Sequence, residues 1–306
     1  MFPDREVVAV DQPATGSSKR TALVTLDDGR EVVVQWRPTA EGGLGAEPLL
    51  ARLVAERTAV PVAPVLASGT REGRAYLVTE RIAGRDLHTA ITGLAPAAAT
   101  RVVRSLGRSL GRLHAAFPFE AAGRVVDRDG RLAVADSTDP RAWLRWYAER
   151  GVERLPPGLA DLGPGLARLL DARLPEMPAD TPVALFPWDL RPGNAIVSEG
   201  RLAALLDWGD PLAAPPGLSL AKTDYLTTDW YFEGGRAEQL RAALHDGYRE
   251  AAPLPPGYRE RRPLYRAAAI VGSAVDRGGA VTRPGYPMVG PEAAVAFHRE
   301  HVLTLL

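Results

Sequence analysis

The sequence predicts an α+β fold in two unequal parts, a small antiparallel sheet with one helix and then a larger, mainly helical part. Three observations carry that reading. Up to about residue 80 the chain is dominated by short β-branched runs separated by turn residues. One apolar stretch within that part instead repeats at three- and four-residue spacing. Beyond Gly84 the helical spacing takes over for long segments. The division therefore falls near Gly84, giving parts 1–83 and 84–306.

Taken in order, "EVVAV" (Glu6 to Val10), "TALVTL" (Thr21 to Leu26) and "EVVVQW" (Glu31 to Trp36) read as strands. The "DDG" at Asp27 to Gly29 is a hairpin turn signal between the second and third. "AEPLLARLVAER" (Ala46 to Arg57) is the helix, and "APVLASG" and "RAYLVTERI" are two further strands. "TRVVRSLGRSLGRLHAAF" (Thr100 to Phe117) is a long amphipathic helix. "DPRAWLRWYAERGVERL" is another, with Asp139 as its N-cap and Pro140 at the first helical position, and "LARLLDARL" is a third. Short strands and loops follow from Pro182. From Ser219 onward the chain reads as helices, and Pro263 should break or kink one of them.

Composition narrows the function classes. Lys+Arg and Asp+Glu are 37 each, so nothing favours a general attraction to nucleic acid or acidic membranes. There is no cysteine, which excludes disulfides and thiol chemistry, and the five His form no H-x-x-x-H pair for a helix-borne zinc. The first residues, "MFPDREVVAVDQ", lack the pattern of a signal peptide, and no apolar run reaches the about 18 residues of a membrane span. The expectation is a cytoplasmic protein with no nucleic-acid or membrane partner, its oligomeric state left open. Lys19 and Lys222 are the only lysines; every other basic side chain of this class is Arg.

The chemistry concentrates in "FPWDLRPGNAIVSEGRLAALLDWGDP", Phe186 to Pro211. An apolar strand ends at Asp189. Pro192-Gly193 makes a tight turn, so Asp189 and Asn194 share one loop. "AIV", the turn "SEGR" and "LAALLD" form a hairpin that returns Asp207 beside Asn194. An Asn and an Asp converging there offer hard oxygen ligands, which suit Mg²⁺ on a triphosphate. Asp189 is then free to accept a proton from an attacking hydroxyl. That division of labour fits phosphoryl transfer from ATP or GTP to an alcohol.

These residues also carry a resemblance. "D-L-R-P-G-N-A-I-V" followed by "L-L-D-W-G-D-P" resembles the aminoglycoside phosphotransferase and choline kinase superfamily, distant relatives of protein kinases. The usual form there is H-G-D-x-H-P-G-N, an apolar strand and then D-[FW]-[EG]. The resemblance implies a protein-kinase-like two-lobed fold with nucleotide between the lobes. By position it makes Asp189 the catalytic base, and Asn194 and Asp207 the Mg²⁺ ligands. The chain departs from the pattern at Pro187-Trp188, where His-Gly is usual, and at Arg191, where His is usual. The Trp ring should fill space there and Arg191 should supply a fixed charge. Ser219-Leu220-Ala221 stands where Asp-Leu-Ala is common.

The resemblance also assigns a nucleotide side. "TGSSKR" (Thr15 to Arg20), with Gly16, Ser17, Ser18 and Lys19, sits where the phosphate-covering loop should be. Glu47 matches the acidic residue that pairs with a lysine of the third strand. Backbone groups from Glu80 to Ile82 should meet the adenine edge. The lysine itself is missing, because its position is held by Gln35. Three explanations stay open. The chain is a catalytically inactive, nucleotide- or metabolite-binding regulator; or Arg37 takes over from the same strand face; or Lys19 reaches in, as in a group of protein kinases whose lysine has moved to a neighbouring strand. The acceptor is not legible, although Asp224, Asp229, Trp230, Tyr231 and Glu233 form an acidic and aromatic stretch suited to a cationic or sugar-like ligand.

Overall fold

The computed structural model describes residues 5–12, 19–38 and 43–306. The β-branched runs form β1 (Val7–Asp11), β2 (Arg20–Leu26), β3 (Glu31–Trp36), β4 (Val65–Arg71) and β5 (Arg74–Glu80). They pair antiparallel in the order β1-β2-β3-β5-β4. The "DDG" turn closes β2 on β3, with Gly29 at φ +80°, where only a residue without a Cβ rests comfortably. Helix α1 (Glu47–Arg57) buries Leu50, Ala51 and Val54 on one face, the stripe its spacing predicts.

The second part begins with the short β6 (Arg85–Asp86), α2 (Leu87–Ala90) and the long α3 (Pro96–Ala116). Helix α4 (Pro140–Glu153) starts as expected, with the Asp139 carboxylate accepting from the backbone N–H groups of Arg141 and Ala142, both at 3.0 Å. Helices α5 (Gly163–Arg173), α6 (Pro216–Asp224), α7 (Gly234–Arg249), α8 (Tyr258–Val271) and α9 (Pro291–Leu303) follow. Helix α8 runs continuously through Pro263, so the expected break does not occur. Helices α3 and α7 touch backbone to backbone: a Cβ on Gly107 would lie 1.9 Å from the Leu244 carbonyl, and one on Gly247 1.9 Å from that of Arg104.

This part also holds a five-stranded sheet that the sequence reading did not anticipate. It joins β7 (Pro118–Phe119), β8 (Ala122–Arg128), β9 (Arg131–Thr138), β10 (Val183–Phe186) and β13 (Leu212–Ala214) in the order β7-β10-β13-β8-β9. Between β10 and β13 lie β11 (Ala195–Ser198) and β12 (Arg201–Leu205), which pair with each other while β11 also takes β6. The core of the second part packs Leu106, Leu110 and Leu113 of α3 with Leu185 and Phe186 of β10 and Leu240 and Leu244 of α7. A rigid strand, β10, therefore leads straight into Asp189.

Candidate active site

Strand β10 is buried at all four positions, and the chain leaves it through Pro187 and Trp188. The tight turn expected at Pro192-Gly193 forms, with the Asn194 N–H donating to the Arg191 carbonyl at 3.0 Å. Asn194 Nδ2 then donates to the Asp189 carbonyl at 2.9 Å, which fixes the amide; its oxygen has no partner among the described residues. Ala195 pairs with Leu205, and Leu206 N–H donates to the Asn194 carbonyl at 2.8 Å. Asp207 follows at φ +57°, a left-handed conformation that costs a residue with a Cβ and marks a position held by its surroundings. Asp189, Asn194 and Asp207 end up facing one small cleft of about 10 Å³.

That donor set fits Mg²⁺. The cation takes few protein ligands and completes its shell with phosphate and water, so one amide oxygen and one carboxylate suffice. Among the described residues there is no group of three or more His, Asp or Glu able to hold a metal by themselves.

A larger open cavity of about 330 Å³ adjoins the cleft and brings Lys19, Arg37 and Glu47 together with Asp189, Arg191 and Asp207. Lys19 stands just before β2. Its Nζ donates to Glu47 Oε1 at 2.6 Å and to Asp207 Oδ1 at 2.9 Å. Burial alone would lower the pKa of this ammonium, but the two carboxylates more than reverse that and raise it above its ordinary value. Burial pushes Glu47 up, against the pull of Lys19, and Glu47 gains from sitting at the first turn of α1. Gln35 turns elsewhere: it lies opposite Thr21 in the β2–β3 ladder and its Nε2 reaches the Thr21 hydroxyl at 3.5 Å. Of the two cation sources left open by the sequence, Lys19 and Arg37, Lys19 is the one in contact with Glu47 and Asp207. Arg37 lines the cavity, with its Nε buried and unpaired.

The remaining sequence candidates divide. Arg191 Nε donates to Asp189 Oδ2 at 2.9 Å, which sets its charge against that carboxylate. Glu80 and Ile82 lie at the end of β5 and just beyond it, and neither lines the cavity; the Glu80 N–H is taken by the Pro64 carbonyl at 3.0 Å. Gly16, Ser17 and Ser18 lie outside the described residues.

The acidic stretch after Asp207 must be corrected. Asp224 is fully buried and salt-bridged to Arg241 and Arg262, each at 3.0 Å, and Asp229 meets Arg266 at 2.9 Å. Three guanidinium groups neutralise these two carboxylates inside the fold, so neither is free to meet a cationic ligand. Tyr231 instead hydrogen-bonds His88 Nδ1 at 2.6 Å, and Glu233 precedes α7. Only Trp230 of that stretch lines the cavity.

Sequence reasoning missed Lys222. It lies on α6, 3% exposed, and lines the same cavity as Asp189. Its Nζ sits 4.1 Å from the centroid of the Trp188 ring and 5.4 Å from that of Phe186. The Trp at the position where the resemblance expects Gly is thus the floor beneath a lysine. The scarcity of lysine was the one available signal.

The comparisons agree with this architecture. A sequence profile of the phosphotransferase enzyme family matches residues 10–264. A search of curated proteins by sequence finds no match. Among solved structures, a thermostable mutant of aminoglycoside phosphotransferase APH(4)-Ia, in ternary complex with AMP-PNP and hygromycin B, superposes with TM-score 0.66 at 16% identity, over 98% of this chain and 93% of that one. The macrolide 2'-phosphotransferase MphH from Brachybacterium faecium superposes with TM-score 0.58 at 19% identity, over 97% and 92%. No helix among the described residues is long and apolar enough to cross a membrane.

Proposed function

Because the chain belongs to the phosphotransferase enzyme family, we propose that it moves the γ-phosphate of ATP or GTP to a hydroxyl of a small molecule, with Asp189 as the base. The observation that carries this reading is the bridge from Lys19 to Glu47 and Asp207 in the cavity that also holds Asp189. Lys19 supplies the cation that Gln35 cannot, which removes the reason for reading the chain as an inactive regulator.

In this mechanism Lys19 steadies the α- and β-phosphates from its place between two carboxylates. Asn194 and Asp207 would hold Mg²⁺, which would neutralise charge on the phosphates. Asp189 accepts the proton of the attacking hydroxyl while Arg191 keeps the carboxylate oriented through the 2.9 Å hydrogen bond. Rigid support for Asp189 comes from β10, so the hydroxyl meets a base whose position is set before binding. Nucleotides at the same fold are supported by a structural neighbour crystallised with AMP-PNP and another crystallised with ADP.

The test is a screen of hydroxylated small molecules for nucleotide-dependent phosphorylation, read by mass gain of the acceptor. Turnover that disappears in Asp189→Asn, with nucleotide affinity retained, is the expected result. Turnover retained in Asp189→Asn overturns the base assignment.

A further inference from the structure

Lys222 raises a question that the nucleotide chemistry leaves unanswered. A buried ammonium ordinarily sits against a carboxylate, because removing it from water is expensive. Here no hydrogen bond or ion pair to Lys222 occurs among the described residues, and its neighbours are the faces of Trp188 and Phe186. The carboxylates that line the cavity have other partners: Lys19 takes Glu47 and Asp207, and Asp276 Oδ1 accepts from the Ala280 N–H at 3.0 Å. Asp224 and Asp229 belong to Arg241, Arg262 and Arg266, Asp210 belongs to Arg277, and Asp189 belongs to Arg191.

The position of Lys222 gives the missing partner a place. Lys222, Leu226 and Trp230 recur at four-residue spacing along α6 and the wider turn after it, and all three line the cavity. Ser273 lines it too, 8% exposed, and its hydroxyl has no hydrogen-bond partner. Arg154 contributes a guanidinium to the same wall. Among the described residues, the Lys222 ammonium and the Ser273 hydroxyl have no hydrogen-bond partner, whereas the Arg154 guanidinium donates to the Asp276 carbonyl; all three line space that opens directly onto Asp189.

Resting on the phosphotransferase reading, we propose that Lys222 binds an oxyanion of the acceptor, which is therefore a hydroxylated acid or a sugar phosphate. An ammonium is a compact point charge suited to a single carboxylate or phosphate oxygen. Burial lowers its pKa to about 8; Asp189 works against that shift and Arg191 adds to it. The charge is thus present at neutral pH and is lost as pH rises past that value. An acceptor carrying an amine at this point meets like charge, so the site selects against polycations.

The two lysines make the test direct. In protein isotope-labelled at lysine Cε, two side-chain signals are assigned with Lys19→Arg and Lys222→Arg. Mg²⁺·AMP-PNP is added first, then D-gluconate, D-glucuronate and glucose-6-phosphate, with D-glucose and D-glucosamine as the uncharged and cationic counterparts. The expected result is a saturable shift of the Lys222 signal with at least one of the anions, stronger than with its counterparts, and weakening above pH about 8. Which anion acts separates carboxylate from phosphate. Calorimetry on Lys222→Met should show that anion bound about 10- to 100-fold more weakly, the worth of one hydrogen bond to a charged group, with AMP-PNP affinity held within about threefold. A Lys222 signal moved by none of the anions, moved equally by glucose or glucosamine, or moved only by Mg²⁺·AMP-PNP overturns the proposal. The Lys19 signal answers separately for the nucleotide: if it ignores Mg²⁺·AMP-PNP, the phosphate-binding role given to Lys19 in the phosphotransferase reading fails, while the Lys222 titration still decides this one.

Discussion

Where the N-terminal sheet meets the cavity, the ammonium of Lys19 is held by Glu47 and Asp207. Where α6 meets it, the ammonium of Lys222 rests on aromatic rings with no carboxylate bound. Both side chains are largely buried. The difference teaches how a fold can use one residue type for opposite purposes. A lysine between two carboxylates is pre-oriented and its charge is compensated in the absence of ligand. A lysine on a ring carries uncompensated charge, which lowers stability until something anionic arrives. In the first case the protein supplies the counter-charge; in the second the ligand must.

The largest effect expected on either side comes from Asp189, the proposed base, which lines the cavity with both lysines. Asp189→Asn should lower kcat by about 10²- to 10⁴-fold, because the amide cannot accept the hydroxyl proton. Steady-state kinetics with the acceptor found by the screen checks it, and nucleotide affinity measured alongside should hold.

Next comes the paired lysine. Lys19→Met should lower kcat/KM for nucleotide by about 10²-fold and leave Glu47 buried without a partner, at a cost of up to about 3 kcal/mol. Denaturant melts separate the two losses. The double variant Lys19→Met with Glu47→Gln should regain much of the stability and none of the activity. Activity that returns with stability would mean that the pair is only a brace between the sheet and α1.

The unpaired lysine should behave in the opposite sense. Its folded-state pKa of about 8 lies below the unfolded value of 10.5, so the unfolded chain binds its proton more tightly. That disfavours the folded state at neutral pH, and the penalty fades as pH rises from about 8 through the unfolded value. Lys222→Met should therefore stabilise the protein by about 1–3 kcal/mol at pH 7, the attraction of the rings offsetting part of the gain. The advantage over wild type should vanish by about pH 11. A variant less stable than wild type at pH 7 would break the comparison.

The smallest effect belongs to Arg37, which lines the cavity without touching Glu47 or Asp207. Arg37→Ala should raise the nucleotide KM by no more than about fivefold. A loss as deep as that of Lys19→Met would move the phosphate-binding role to Arg37.

What the sequence made legible was local. Asp189, Asn194 and Asp207 could be brought together on paper because one turn and one hairpin connect them, and turn residues and apolar alternation announce both. The DDG hairpin and the Asp139 cap were readable for the same reason. The sheet containing β8 and β13 was not. Its pairs, such as Arg124 with Leu212, join short strands far apart in sequence, and no local pattern encodes such a pairing. The acidic stretch at Asp224 and Asp229 was misread because its neutralising partners, Arg241, Arg262 and Arg266, arrive from α7 and α8. Lys222 was visible as a rarity, but its aromatic floor comes from β10 and the loop beyond, so its meaning had to wait for the fold. Lys19 was visible as one of two candidate cations, and only its contacts with Glu47 at the start of α1 and with Asp207 separate it from Arg37.

The sparing use of lysine has a practical side for anyone labelling this protein. Apart from the chain's own amino terminus, its only amines are Lys19 and Lys222, and both line the cavity. The remaining basic side chains carry guanidinium groups, which acylating and reductive-alkylating reagents spare under mild conditions. Reagents that decorate an ordinary protein surface at random would here find their targets in the cavity or at one end of the chain. Modification at lysine would then track occupancy: nucleotide should shield one amine, the acceptor the other, and a digest read by mass would report each separately.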